Sequence, residues 1–401
     1  MKNKNILLML LLAFVSGCAT NSGVGPNYQY DSEKVDIANA EPFDVSVGVF
    51  NPGLPKQSSY GEEGIWPELR RAESMYMAVK LRDVLAESEN FGAVRVTPDL
   101  SSSADIYVRA KILKSNGEDV SLKVTVIDST GKQWISKKYS HRVTSISFNN
   151  PRNKDSKNAL KIDPYKPIFI KINNDIAKYM KKKVRSKNAD IINTVTDVRY
   201  AQNFSPNAFS DILQENRGKY RLNGKPAVDD PTIVRVQNIR YRDQMFIDNL
   251  QVNYDGFSSD MDGSYKIWQE QSYAESKAAR EAASAAFWQG VAGAVIMGAT
   301  IAAAGDSNSY ESAAWTGAVG GAVAGALFEG SFKSSSEAKI HRDSLNEIAS
   351  AIDGNLSPSV IEMEDTTVTL TGTAKEQSQQ WKDILKKIYI AENVRTVNVL
   401  E

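Results

Sequence analysis

Two long stretches of this chain, residues 282–305 and 312–328, contain no charged side chain. Between them lies the polar run Asp306-Ser307-Asn308-Ser309-Tyr310-Glu311. Two apolar helices joined by a short polar loop make an αα-hairpin. In the second stretch Gly317, Gly321 and Gly325 recur every fourth residue, and in the first Gly290, Ala294, Gly298 and Ala302 do the same. Residues four apart share one helix face. Glycine costs about 1 kcal/mol per site in an exposed helix, so a column of it needs a packing reason. Small side chains let two backbones approach closely, in lipid as well as in water. Three arrangements stay open at this point: a hairpin inserted in or lying against a membrane, a hairpin that oligomerises outside one, and a plain Ala/Gly-rich core hairpin. The first stretch is long enough to span a bilayer, and the second, at about 17 residues, is marginal.

A second apolar element stands at the other end. Lys2 and Lys4 precede an apolar run over 6–15 that ends in Val15-Ser16-Gly17-Cys18. At about ten residues the run suits a signal-peptide core and is too short to cross a bilayer as a helix. Cys18 is the only cysteine, so no internal disulfide is available to it, and a lone thiol in an exported chain calls for another explanation. The run resembles the lipobox of bacterial lipoproteins, in which small residues precede a cysteine that is cleaved and lipidated. That resemblance implies a diacylglycerol and an N-acyl chain on Cys18, with no other cofactor. Several acyl chains anchor stably where one binds marginally. Ala19, rather than Asp, follows the cysteine. The sorting rule of such lipoproteins then implies lipid anchoring at the cell outer membrane, facing the periplasm.

Lys+Arg and Asp+Glu both number 48. With no basic excess, nucleic acid is not an expected partner. The two histidines, His141 and His341, fall in different segments, which argues against a triad or a histidine metal site. There is no phosphate loop and no nucleophile elbow. No catalytic or metal-binding residue is therefore nominated. Ser258 to Gly263 has a calcium-loop flavour, but position twelve falls on Gln269, which cannot supply the bidentate carboxylate. A helix cap before Tyr265 is the expected role. The basic run Lys181-Lys182-Lys183-Val184-Arg185-Ser186-Lys187 suits a helix C-terminus, and contact with anionic lipid is a second use for it.

The expected fold class is α+β. Residues 1–17 read as signal peptide and 18–41 as lipidated tether. Over 42–185 strands at 44–50, 93–97, 106–112, 120–126 and 133–139 alternate apolar and polar residues, with helices at 67–88 and 168–180. The order βαββββα predicts a sandwich with helices on one face of a mostly antiparallel sheet. With its Ala104-Asp105-Ile106 start and Asp-x-x-Gly hairpin, this unit loosely resembles the α+β domain of curli-channel lipoproteins and the N-terminal domain of the Tol propeller protein. The resemblance implies a docking domain. Residues 186–286 read as a helical arm, and 287–332 as a zipper hairpin, since its small-residue columns resemble the glycine-zipper segments of several outer-membrane lipoproteins. Over 336–401 the expected order is αββαβ. Val368-Thr369-Leu370-Thr371-Gly372-Thr373-Ala374, a helix, and then Val394-Arg395-Thr396-Val397 resemble a BON domain. Gly372 would make its tight strand-to-helix turn, and Asn393 departs from the pattern by standing where the family has glycine. That resemblance implies binding to phospholipid or envelope proteins.

Together these readings predict a non-enzymatic, lipid-anchored envelope scaffold or assembly factor. Its expected partners are membrane lipid, further copies of itself and envelope proteins. Two alternatives are a pore or transport component built from zipper hairpins, and a phospholipid-binding envelope-integrity protein.

Overall fold

A computed structural model describes residues 34–37, 40–57, 65–98, 102–148, 163–207, 209–227, 230–301, 343–348, 359–362 and 367–399. The chain is a mixed α and β structure. A five-stranded sheet is built from β1 (Val45–Gly48), β2 (Val94–Thr97), β3 (Ile106–Ser115), β4 (Asp119–Asp128) and β5 (Gln133–Arg142), in the order β2-β1-β3-β4-β5. Helix α1 (Pro67–Glu87) crosses over between β1 and β2, with Pro67 at its first turn, where a missing N–H costs nothing. Helix α2 (Lys166–Lys183) packs against both β5 and α1. The β-strand alternation is plain in β3, where Ile106, Val108, Ala110 and Ile112 are buried and Arg109, Lys111 and Leu113 are exposed.

The sheet is mixed: β1 runs parallel to both β2 and β3 in two short pairings, and the long strands β3-β4-β5 alternate in direction. The helical crossover α1 makes the first parallel pairing possible, since parallel neighbours cannot be joined by a hairpin. Gly117, at φ +78°, turns β3 into β4.

Residues after the sheet depart from expectation. Helix α3 (Ser186–Gln202) is followed by a short hairpin, β6 (Leu213–Asn216) and β7 (Lys219–Leu222), where a purely helical arm was expected. Its two turn residues, Arg217 and Gly218, both have positive φ, the geometry that matches strand twist in two-residue hairpins. Helix α4 (Pro231–Ile301) then runs for 71 residues without interruption, about 105 Å. Asp230 caps it, accepting the Thr232 N–H at 2.8 Å and the Ile233 N–H at 3.2 Å, as an N-cap carboxylate does. Ser258 to Gly263 lie inside this helix, so they form neither a cap before Tyr265 nor a loop of any kind.

At the C-terminal end come α5 (343–348), the hairpin β8 (Ser359–Glu362) and β9 (Thr367–Leu370), and α6 (Ala374–Val399). Residues 394–399, expected in the last strand, are instead the end of α6. No glycine or proline interrupts the chain between Ile390 and Val399, and Asn393 leaves the helix free to continue where a glycine would have stopped it. The C-terminal order therefore ends on a helix.

Candidate functional site

The feature that organises the described residues is the seam along which α4 docks on the rest of the chain. Its buried positions include Ile239, Asp243, Phe246, Ile247, Leu250, Tyr254, Ser258, Met261, Tyr265, Trp268, Gln269, Ser272 and Ser276. Asp243, Tyr254, Tyr265 and Ser276 are each eleven residues apart. Eleven residues make three turns at about 3.67 per turn, close to the natural helical period, so one face stays aimed at the body along a nearly straight helix.

That face meets the edge of the sheet first. β2 is an edge strand, and edge strands expose unpaired backbone groups. The Gln251 side chain accepts the Val96 N–H at 2.9 Å and donates to the Val96 carbonyl at 2.9 Å. Arg95 grips Asp248 with two bonds, at 2.6 and 3.0 Å, and Arg82 reaches Asp255 at 2.5 Å.

Further along lies a buried polar cluster. Glu73, on α1, is 1% exposed. Its carboxylate accepts the Tyr265 hydroxyl at 2.7 Å and the Ser115 hydroxyl, and pairs with Arg70 Nε at 3.1 Å. Burial pushes the Glu73 carboxyl above its ordinary range, against the opposing pull of Arg70 and the hydroxyls. Tyr265 is raised well above the usual phenol range by burial and by the neighbouring Glu73. Arg70 also donates to the Ser115 carbonyl at 3.2 Å, and the Tyr165 hydroxyl accepts the Gly117 N–H at 2.9 Å. Tyr76 donates to Asp262 at 2.6 Å, and Lys80 pairs with the same carboxylate at 3.0 Å.

The β3–β4 turn completes the seam. A Cβ on Gly117 would lie 2.5 Å from the Tyr273 nitrogen and 2.7 Å from Ser272 Cβ, so only glycine lets helix and turn touch. Ser276 donates to the Asn116 carbonyl at 2.8 Å, and Arg280 pairs with buried Glu118 at 2.9 Å. Beyond Arg280 and Glu281 the helix enters its charge-free stretch.

A second polar anchor ties α3 to the sheet. Asp105 accepts the Thr196 hydroxyl at 2.6 Å and the Asp44 N–H at 2.9 Å. Burial pushes its carboxyl up to about 6, against the lowering effect of those two bonds. Ser129 donates to the Ile192 carbonyl at 2.7 Å, and Arg199 returns a bond to the Ser129 carbonyl at 2.6 Å.

Comparison with protein families, with curated proteins and with solved structures found no match to this chain.

The residues nominated from sequence fall as follows. Gly290, Ala294 and Gly298 lie in the last turns of α4. Cys18, Ala302, Gly317, Gly321 and Gly325 are outside the described residues. Gly372 stands between β9 and α6 with φ +98°, and a Cβ there would lie 2.5 Å from Glu376 Oε2. Next to it Thr373 and Glu376 form a reciprocal capping box, with Thr373 N–H to Glu376 at 2.8 Å and Glu376 N–H to the Thr373 hydroxyl at 3.3 Å. The basic run divides between the last turn of α2 and the start of α3. Among the described residues no helix is long and apolar enough to cross a membrane, and no cluster of His, Cys, Asp or Glu could hold a metal ion.

Sequence reading missed the seam because about a third of its buried α4 positions are polar. Glu73, Asp243, Gln251, Gln269 and Ser272 look like solvated positions until α4 is laid against the sheet. The eleven-residue spacing was the signal that could have found it.

Proposed function

We propose that this chain is a non-enzymatic, lipid-anchored protein of the bacterial cell envelope that acts as a scaffold or assembly factor at the outer membrane. The observation that carries the reading is the single 71-residue helix α4. It is locked to the α+β body through residue 280 and continues, without a break, into sequence that carries no charge and repeats Gly290, Ala294 and Gly298 on one face. A helix rigidly seated at one end and adhesive at the other transmits the position of the body to whatever packs on the zipper.

The lipid belongs to Cys18. With the acyl chains holding one end and Gly317, Gly321 and Gly325 supplying a close-packing face near the other, the chain has two points of attachment. The second is used for self-association. The buried ionisable groups support the non-enzymatic reading: Glu73 and Asp105 are each satisfied by docking contacts between elements. The C-terminal unit is held to α4 by Trp381 on Phe246 at 5.7 Å between ring centroids and by Arg242 to Glu392 at 3.1 Å, and contact with an envelope partner is the role proposed for it.

The test is the mature N-terminus. Intact-mass analysis of the protein made in a Gram-negative host is expected to show a chain beginning at Cys18 with three acyl chains' added mass, and Cys18→Ala is expected to move the protein from the outer-membrane to the soluble fraction. A free thiol at Cys18, or unchanged membrane fractionation of Cys18→Ala, would refute the anchor.

A further inference from the structure

Helix α4 has a second face that the fold does not use. Val234, Tyr241, Met245 and Val252 are 47%, 64%, 51% and 71% exposed. Each lies nine residues from a buried position: Val234 and Val252 from Asp243, Tyr241 from Leu250, and Met245 from Tyr254. Nine residues are two and a half turns, so these four side chains point directly away from the body. Large apolar groups at this spacing, seven and four apart, form the seam of a coiled coil. Gly256 and Gly263 continue the same line, nine residues from Tyr265 and from Tyr254 respectively. A Cβ on either glycine would meet nothing within 4 Å, so neither is required by its own chain, although each weakens the helix.

We propose that this outer face is the contact between two copies of the chain, with their α4 helices antiparallel about a two-fold axis between Asp248 and Asn249. The occupant follows from the face itself, because in that register it is complementary to its own reversal. Val234 falls opposite Gly263 of the second copy, Tyr241 opposite Gly256, and Met245 opposite Val252. Val234 and Tyr241 at one end meet glycines at the other, and Met245 and Val252 meet near the centre. A two-fold contact must be self-complementary in this way. The proposal does not rest on the zipper hairpin, and the two contacts can coexist in one assembly.

Disulfide trapping in the full chain, in detergent, tests the register. The variant Met245→Cys/Val252→Cys is expected to form a covalent dimer on mild oxidation, because residue 245 of one copy meets 252 of the other. The two cysteines cannot link within one helix, where they lie about 10 Å apart. Tyr241→Cys alone is expected to give no more dimer than the unsubstituted chain, because its two copies would be about 22 Å apart along the axis. A dimer from Tyr241→Cys alone would overturn the antiparallel register. No dimer from either variant would overturn the interface. Tyr241→Glu, at an exposed position that leaves the fold intact, is expected to weaken dimerisation by roughly tenfold or more in equilibrium sedimentation. An unchanged dimer would count against the face.

Discussion

The side-chain amide of Gln251 pairs with both backbone groups of Val96, its oxygen taking the N–H and its nitrogen the carbonyl, each at 2.9 Å. A side chain on α4 thereby stands in for the strand that β2 lacks. Removing it leaves two partly buried backbone groups unsatisfied, at a cost of about 1–3 kcal/mol. Gln251→Leu is expected to lower stability by that amount in urea unfolding and to speed hydrogen exchange at the Val96 amide. Unchanged exchange there would show that water replaces the amide without loss.

Gly117 is expected to be the least replaceable residue of the β3–β4 turn. Alanine would have to hold φ +78° with its Cβ 2.5 Å from the Tyr273 nitrogen, so helix or turn must move. Gly117→Ala should cost about 2–4 kcal/mol and loosen α4 around Ser272. Gly224, whose added Cβ would meet nothing within 4 Å, gives the control substitution. Equal effects at the two sites would contradict the close approach.

Tyr265→Phe keeps the ring stacked on Trp268, at 5.3 Å between centroids, and deletes only the bond to Glu73. A lost hydrogen bond to a charged group costs about 1.5–3 kcal/mol. The effect should be local, with amide exchange rising in α4 near Tyr265 before it rises in β3 or β4. Uniform acceleration across the sheet would mean that the cluster holds the whole body rather than the helix.

The pH dependence of stability follows from Asp105. Its folded carboxyl titrates near 6 against an ordinary 3.8, so the folded chain keeps a proton that the unfolded chain has already released. Stability attributable to this group is full below pH about 4, falls as pH rises through about 6, and is flat above. The fall is on the order of 3 kcal/mol. Asp105→Asn should flatten the stability–pH curve between pH 4 and 6, whatever it does to absolute stability. A curve of unchanged slope in that window would contradict the assignment.

The sheet was legible because its strands alternate. Val120, Leu122, Val124 and Val126 are all buried, and the chain says so residue by residue. Pairing direction was not legible, since Val45 and Val47 alternate equally well in parallel or antiparallel company. Helix α4 was legible at its start, through Asp230-Pro231, and in its length only once polar positions are counted as buried. The end of α6 misled for a local reason. Val397 and Val399 alternate like a strand, but nothing between Ile390 and Val399 breaks a helix. The β6–β7 hairpin carried a usable signal in Arg217-Gly218, overlooked because its strands are only four residues each and mostly exposed.

The account as a whole depends on α4 carrying self-association beyond the body. The direct measurement is the mass of the full chain in detergent with and without residues 287–332. The account predicts an oligomer that falls to a dimer when those residues are removed, while the unfolding of the α+β body is unchanged. An assembly of the same mass in both chains would contradict it.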